Sequence, residues 1–179
     1  GYQSVLEEII FRHHEMIEKM VPSASDKQEL KQKIEPMFED LRNILRGVYL
    51  IGDLSQKTSD KIVSYGERFS ALIVNKIIEG SRLYDSTRLI KTTKQFNHHI
   101  PDIAFSNELI REAFRNEPLP KVAIVPGFIS SSKEDGDITN LGRGGSDYTA
   151  AIIAAALDAS VLEIWTDVDG FMTADPKII

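Results

Sequence analysis

The sequence contains no cysteine, no long apolar run and no excess of basic residues. The absence of cysteine excludes disulfides and thiolate metal sites and is compatible with a reducing compartment. No apolar stretch approaches the roughly 18–20 residues that a membrane span requires. Lys and Arg number 21 against 27 Asp and Glu, and the net charge of −6 disfavours a nucleic-acid or polybasic membrane surface. We therefore expect a cytoplasmic protein with neither nucleic-acid nor membrane partners.

The 179 residues, 42% of them hydrophobic, are sufficient for one globular domain with its own core. We divide them into a helical hairpin over residues 1–52, helices and short strands over 53–120, and a glycine loop with further strands over 121–179. Residues 1–20 have the pattern of a helix from within a domain, and the sequence stops just after a turn. We therefore expect both ends to be cut from a longer chain.

Apolar periodicity predicts helices over residues 5–20, 30–45, 58–79, 102–114 and 147–157. We expect Pro36 to kink or restart the second helix and Gly47 to end it. Strands are predicted over residues 82–84, 87–91, 121–129 and 161–165, the last two buried, with a loop over 91–99. A polar turn over residues 130–137 would join a hairpin whose return arm, 138–141, leads into the glycine loop.

The most distinctive segment is Leu-Gly-Arg-Gly-Gly-Ser-Asp-Tyr-Thr-Ala at residues 141–150, directly before a helical run. Glycine lets a backbone approach a ligand closely, and a helix N-terminus presents unpaired N–H groups and partial positive charge. These features predict a cradle for a phosphate or carboxylate, in which Arg143 offers two-pronged recognition of an oxyanion. Ser146 or Asp147 would cap the helix. The alternative is an ordinary glycine loop with an N-cap.

Other candidate residues are less specific. Glu67 follows a glycine inside the long helix, where glycine costs about 1 kcal/mol relative to alanine and usually has a local reason, such as a ligand or a neighbouring backbone close to Glu67. Periodicity alone favours a solvent-facing pair of Glu67 and Arg68 instead. Thr166 and Asp167 follow a predicted strand, where side chains can meet a nucleotide, although Asp167 equally suits a turn. Neither the paired histidines nor the acids of the tail have metal-site spacing, so no metal site is predicted.

Four motifs together resemble aspartate kinase. They are Ser-Tyr-Gly-Glu-Arg-Phe-Ser at residues 64–70, Pro-Gly-Phe-Ile at 126–129, Leu-Gly-Arg-Gly-Gly-Ser-Asp-Tyr-Thr-Ala-Ala at 141–151 and Glu-Ile-Trp-Thr-Asp-Val-Asp-Gly at 163–170. Their order and spacing are specific, and the resemblance spans residues 50–179. Residues 1–49 are more similar to the kinase portion of the bifunctional aspartokinase/homoserine dehydrogenases than to the shorter monofunctional enzymes.

The resemblance implies the amino-acid-kinase fold, a three-layer α/β/α sandwich around a mainly parallel sheet. It also implies transfer of the γ-phosphoryl group of ATP to the side-chain carboxylate of L-aspartate, the first step toward lysine, threonine, methionine and isoleucine. Mg²⁺ would be carried by the nucleotide, and the full-length parent is expected to be a homo-oligomer.

The resemblance further assigns roles to individual residues. Glu67 would hold the substrate α-amino group and Arg143 a substrate carboxylate, while Asp147 would lie beside the transferring phosphoryl group. Ser146 and Phe128 would line the amino-acid pocket. The expected nucleotide contacts are Gly142, Gly144, Gly145, Thr166, Asp167, Met172 and Lys177.

The sequence departs from the family in its phosphate loop, because the opening Lys-Phe-Gly-Gly-Thr-Ser is absent, as is a later segment with a second nucleotide lysine. Met172 and Lys177 stand where many members have tyrosine and arginine. We therefore expect little or no kinase activity from these residues alone. The alternatives are a related kinase of glutamate, acetylglutamate, carbamate or a nucleoside monophosphate, and a non-catalytic ligand-sensing or assembly domain.

Overall fold

The computed structural model describes residues 1–96, 98–115 and 118–166. In this part of the chain the elements run α1 (Tyr2–Met20), α2 (Ala24–Ile51), α3 (Gln56–Ile77), β1 (Ser81–Leu83), α4 (Ser86–Leu89), β2 (Lys91–Gln95), β3 (His98–Pro101), α5 (Ile103–Arg115), β4 (Val122–Ile124), β5 (Ile129–Ser132), β6 (Ile138–Asn140) and α6 (Gly145–Ala156). None of these described helices is both long enough and apolar enough to cross a bilayer.

Helices α1, α2 and α3 pack around one apolar core, because each presents apolar residues at helical spacing. The buried members are Leu6, Ile10, Ile17, Val21, Leu30, Ile34, Phe38, Leu41, Tyr65, Phe69 and Ile73. The rings of Phe38 and Phe69 meet at its centre with 4.5 Å between centroids. Helix α2 begins after Ser23, whose side chain accepts a hydrogen bond from the Asp26 amide. It ends before Gly52, which has a φ of 72°.

Polar contacts fix α3 against α2. The Tyr65 hydroxyl donates to Asp40, and Lys61 Nζ lies 3.0 Å from Asp40 Oδ2. These hydrogen bonds lower the pKa of Asp40, while burial and the same contact raise the pKa of Tyr65. At the other end of the pair, Lys76 Nζ contacts Glu29 at 2.6 Å. The helix that carries Glu67 is therefore held by both apolar packing and charge.

Two small sheets follow the helices. Strands β1 and β4 pair in parallel, and a second sheet has the order β3-β2-β5-β6. Within it β2 and β5 are parallel, whereas the outer pairs are antiparallel. A second apolar cluster brings together α4, α5 and α6 through Leu89, Ile90, Ile110, Ile152 and Ala156. The predicted α/β fold class is confirmed, with parallel and antiparallel pairs both present in the described residues.

The second sheet buries hydroxyl groups in place of apolar side chains. Ser130 Oγ lies 2.8 Å from Thr139 Oγ1, which lies 2.9 Å from Thr92 Oγ1. Each hydroxyl can both donate and accept, so the three side chains can satisfy one another inside the protein. The predicted hairpin into β6 is present. The polar turn is shorter than the predicted 130–137, because Ser130, Ser131 and Ser132 belong to β5.

The expectations that the second helix restarts at Pro36 and ends at Gly47 were wrong. Helix α2 passes without interruption through Pro36 and Gly47 and ends only before Gly52. Proline removes one helical hydrogen bond and crowds the preceding turn. Here Ile34 and Phe38, on either side of Pro36, are both buried in the apolar core, and this packing stabilises the helix across the proline.

Residues 87–99 also differ from expectation. Most of the predicted strand over residues 87–91 is instead the short helix α4. The Asp85 carboxylate caps this helix, because it accepts hydrogen bonds from the Thr87 amide at 3.0 Å and from the Thr87 hydroxyl at 2.7 Å. The predicted loop over residues 91–99 forms β2 and the start of β3, paired from Thr92↔Pro101 to Gln95↔His98. Their polar side chains hide the pattern of a strand, whose backbone pairing needs no apolar residue.

The segment of residues 161–165 was predicted as a buried strand and is not one. It pairs with no other strand in the described part of the chain, and its apolar side chains are exposed, with Trp165 at 89% and Val161 at 68%. The strand expected over residues 121–129 is likewise shorter: β4 ends at Ile124, and Val122 is 38% exposed. An isolated extended segment leaves its backbone groups without a ladder partner, which removes the main stabilisation of a strand.

We predict that Phe38→Ala destabilises the chain by about 3–5 kcal/mol, because truncating a buried phenylalanine leaves a cavity in the helical core. The matched control is Phe11→Ala, since Phe11 lies on α1 and is 69% exposed. Urea unfolding measures both free energies. Equal free energies of unfolding for the two variants would show that the three helices do not form the core described here.

We also predict a pH-dependent contribution from Glu29. Hydrogen bonds from Lys33 and Lys76 lower its pKa from the usual 4.5 to about 2. Because the folded pKa is depressed, this contribution is complete above pH 4.5 and is lost as the pH falls toward 2. Glu29→Gln should flatten the pH dependence of the urea midpoint in this window, whereas Glu8→Gln, at an exposed position of α1, should leave it unchanged. Identical profiles for both variants would contradict the assignment.

Candidate functional site

The glycine loop forms a tight turn directly before α6. Gly142 and Gly144 adopt φ of 75° and 74°, a region that side chains disfavour, and the Gly145 amide donates to the Gly142 carbonyl at 3.0 Å. In the described residues, no side chain caps α6, and no backbone carbonyl accepts from the amides of Ser146 and Asp147. These free N–H groups and the helix dipole make the start of α6 attractive to an anion.

The prediction that Ser146 or Asp147 caps this helix was wrong. Helix α6 begins at Gly145, with Gly144 as its N-cap, so both residues already lie in the first helical turn. The two left-handed glycines turn the chain earlier than a side-chain cap would. Asp147 still contributes negative charge to the first turn, where the helix dipole favours it.

The turn rests directly on the segment between β4 and β5. A Cβ on Gly127 would lie 2.9 Å from Ser146 Cα, and one on Gly145 would lie 3.0 Å from Phe128 Cδ2. The Phe128 amide donates to Thr149 Oγ1 at 3.0 Å, and the Leu141 amide donates to the Phe128 carbonyl at 2.9 Å. Phe128 itself adopts a φ of 70°, which is unusual for a residue with a side chain. Phe128 is therefore in contact with Gly145, and Ser146 with Gly127.

No ion pair joins the charged candidates within the part of the chain that the structure describes. Arg143, Ser146 and Asp147 are exposed at the turn, and Glu67 is half-buried on α3. Among the described residues, neither Glu67 nor Arg143 forms an ion pair within 4.0 Å. The hypothesis that they hold opposite ends of one ligand stays a prediction.

Gly66 has no close neighbour to explain it. A Cβ there would meet no heavy atom within 4 Å. The suggestion that another backbone approaches Glu67 at this glycine is therefore wrong for the described residues. The neighbouring Arg68 guanidinium lies 5.2 Å from the centre of the Tyr65 ring and does not pair with Glu67.

A cavity of about 520 Å³ opens beside the glycine turn. It is lined by Gln56, Ser59, Asp60, His98, His99, Phe128, Asn140, Leu141 and Gly142. Phe128 and Gly142 were predicted site residues, whereas Asp60 and the two histidines of β3 were not assigned to the site. Asp60 lies two helical turns before Glu67 and therefore on the same face of α3, and this spacing was the signal in the sequence that pointed to Asp60 as a site residue. No group of three or more potential metal ligands occurs in the described residues.

The remaining predicted contacts lie near or beyond the end of the described chain. Thr166 is exposed and lies outside any strand. Asp167, Met172 and Lys177 lie outside the described residues. Their assignment to a nucleotide stays a prediction.

Comparison with known proteins gives these motifs a context. The amino acid kinase family model matches residues 12–179. Lysine-sensitive aspartokinase 3 of Escherichia coli (strain K12) is 35% identical over 154 residues, which are 84% of this chain and 34% of that protein. The bifunctional aspartokinase/homoserine dehydrogenase of Buchnera aphidicola subsp. Acyrthosiphon pisum (strain APS) is 35% identical over 156 residues, 84% of this chain and 19% of that protein.

A solved structure shows the same likeness. The crystal structure of E. coli aspartokinase III in complex with aspartate and ADP matches with a TM-score of 0.82 at 32% identity, covering 97% of this chain and 38% of that one. This match confirms the predicted amino-acid-kinase fold. The chain spans between 19% and 38% of the length of these relatives.

We predict that Gly127→Ala destabilises the chain by roughly 1–3 kcal/mol, because the new methyl group would push against the backbone at the start of α6. The control is Gly47→Ala, within α2, where a Cβ meets no atom within 4 Å. That change should raise stability by up to about 1 kcal/mol, since alanine is the better helix former. Thermal unfolding measures both, and shifts of the same sign would contradict the close contact.

Proposed function

Because the chain belongs to the amino acid kinase family, we propose that the protein transfers the γ-phosphoryl group of ATP to the side-chain carboxylate of L-aspartate. The relatives are named as aspartokinases, and one solved relative is described in complex with aspartate and ADP. The chain spans 34% of the E. coli enzyme. The activity, substrates and partners of the whole protein are therefore part of this proposal.

The glycine turn pressed onto Gly127 and Phe128 is the observation that carries the proposal. It brings exposed Arg143 and the free amides of Ser146 and Asp147 into one short stretch. Backbone amides and a guanidinium are suited to carboxylate and phosphoryl oxygens. Phosphoryl transfer depends mainly on positioning and on neutralising charge, which these groups supply without covalent chemistry.

An amino-acid substrate carries both a carboxylate and an ammonium group, so its binding site needs one positively and one negatively charged side chain. We assign Arg143 to a substrate carboxylate and Glu67 to the α-ammonium group, with Ser146 and Phe128 lining the pocket between them. An acetylated substrate lacks the positive charge that Glu67 would bind. The pair therefore favours a free amino acid.

The reaction requires no general base. The substrate carboxylate is already ionised, so its oxygen forms the bond to the γ-phosphorus as the bond to the leaving ADP breaks. We assign Asp147, in the first turn of α6, to orientation of the reacting groups and to the electrostatics of the site. Mg²⁺ carried by the nucleotide would supply further neutralisation of the phosphate charge.

The nucleotide would lie along the glycine turn and the tail. We assign its contacts to Gly142, Gly144 and Gly145, whose lack of side chains lets phosphates approach the backbone. Thr166, Asp167, Met172 and Lys177 complete the proposed set. Lys177, in place of the arginine common in the family, keeps the positive charge but lacks the planar guanidinium, whose N–H groups can donate two parallel hydrogen bonds.

Several finer features are proposed for the full-length protein. It would be a cytoplasmic homo-oligomer, and the bifunctional relative supports a fusion with a homoserine dehydrogenase. Residues 1–179 alone are expected to turn over aspartate slowly or not at all.

We predict that the full-length protein containing this sequence releases ADP with L-aspartate, far faster than with L-glutamate or an acetylated amino acid. Arg143→Gln should lower kcat/KM for aspartate by roughly 10- to 100-fold, because a hydrogen bond to a charged group contributes about 1.5–3 kcal/mol. Arg143→Lys should retain part of the activity. The measurement is a coupled assay of ADP release.

The control for this experiment is Arg12→Gln, at an exposed position of α1. It should leave kcat/KM unchanged. Faster turnover of glutamate would redirect the proposal to a related amino-acid kinase. Unchanged kcat/KM in Arg143→Gln would remove Arg143 from the site and favour a non-catalytic role for this domain.

A further inference from the structure

A buried acid on α3 lies beside the glycine turn without being one of the charged residues assigned above. Asp60 is 6% exposed, although it belongs to a residue type that is almost never buried unless it is paired. Burial of an unpartnered carboxylate is costly, so its partners explain why it is there.

The carboxylate of Asp60 joins α3 to the strand that leads into the turn. Its Oδ1 accepts from Gln56 Nε2 at 2.7 Å and from Asn140 Nδ2 at 3.0 Å. Gln56 belongs to the same helix, one turn earlier. Asn140 lies 80 residues away in sequence and is the last residue of β6. The bond to Asn140 is therefore the one that links separate segments.

Asn140 is held from its other side as well. Its backbone pairs with Ile129 of β5, and the next residue, Leu141, donates its amide to the Phe128 carbonyl. The turn begins immediately afterwards at Gly142. Asp60 and the β5 backbone thus fix the residue from which the turn departs.

We propose that Asp60 is a positioning residue, which orders the glycine turn by holding Asn140. Asp60 and Asn140 also line the cavity that reaches Phe128 and Gly142. Asp60 acts through Asn140 and needs no contact with substrate. The effect on the turn follows from the structure alone, whereas the effect on aspartate kinetics rests on the proposed function.

The first test measures hydrogen–deuterium exchange of the chain without ligand. Asp60→Ala should raise exchange of the Leu141 and Gly145 amides, which are hydrogen-bonded in the turn, about tenfold, because the Asn140 side-chain amide loses its acceptor. Protection of α1 and α2 should stay unchanged. Asp60→Asn keeps an acceptor oxygen and should restore most of the protection. Asp53→Ala, an exposed aspartate just before α3, is the matched control and should leave the turn unchanged.

Asn140→Ala removes the same hydrogen bond from its other end, so the test does not depend on the folding of Asp60→Ala. It should raise the exchange of the Leu141 and Gly145 amides to a similar extent. Unchanged exchange in this variant overturns the proposal. So does a loss of protection spread evenly over α1, α2 and the turn, since that would mean a purely structural role.

The second test uses the full-length protein. Asp60→Ala should raise KM for L-aspartate about tenfold with a smaller change in kcat, and Asp60→Asn should recover most of the loss. A role limited to stability would lower the amount of active enzyme without moving KM. If the wild-type protein has no aspartate kinase activity, the proposed function fails, and the exchange experiment still decides the role of Asp60.

Discussion

The contact between Gly127 and the first turn of α6 is the constraint on which the site depends. A Cβ at Gly127 would lie 2.9 Å from the Cα of Ser146, so two backbones meet with no side chain between them. The left-handed glycines at 142 and 144 allow the chain to reverse before α6 begins. The result is a helix start with free amides, preceded by a turn whose first residue, Gly142, lines the same cavity as Phe128. Gly127 is required because no space is left for a side chain, and Gly142 and Gly144 because of their positive φ.

The larger apolar core and the glycine turn lie in different parts of the described chain. The three long helices hold the larger apolar core, whereas the second sheet buries a row of paired hydroxyls in Ser130, Thr139 and Thr92. Polar rows of this kind specify register, because each hydroxyl needs its partner in place. They support β5 and β6, the strands that lead from Phe128 and into the glycine turn. The glycine turn is thus a loop that begins directly after a strand held by buried hydrogen bonds.

Local sequence signals predicted much of the fold and the central motif of the site. Residues 58–79 were predicted as a helix, and α3 runs over Gln56–Ile77, because amphipathic spacing follows a Ser55 cap. The glycine turn could be predicted because glycine, arginine and a following helix lie together in the sequence. Asp60 could not, because an acid on an amphipathic helix is normally solvated, and its partner Asn140 is 80 residues away. Strands β2 and β3 were missed because backbone pairing, of β2 with β3 and of β2 with the distant β5, makes them strands although their side chains are polar.

The central claim is that an amino acid lies between the glycine turn and α3. The most direct measurement is a crystal structure of the full-length protein with L-aspartate and ADP. We expect a substrate carboxylate at the Arg143 guanidinium, the side-chain carboxylate facing the start of α6, and the α-ammonium group at Glu67. Aspartate bound away from residues 142–147, or Glu67 facing solvent while aspartate is bound, would contradict it.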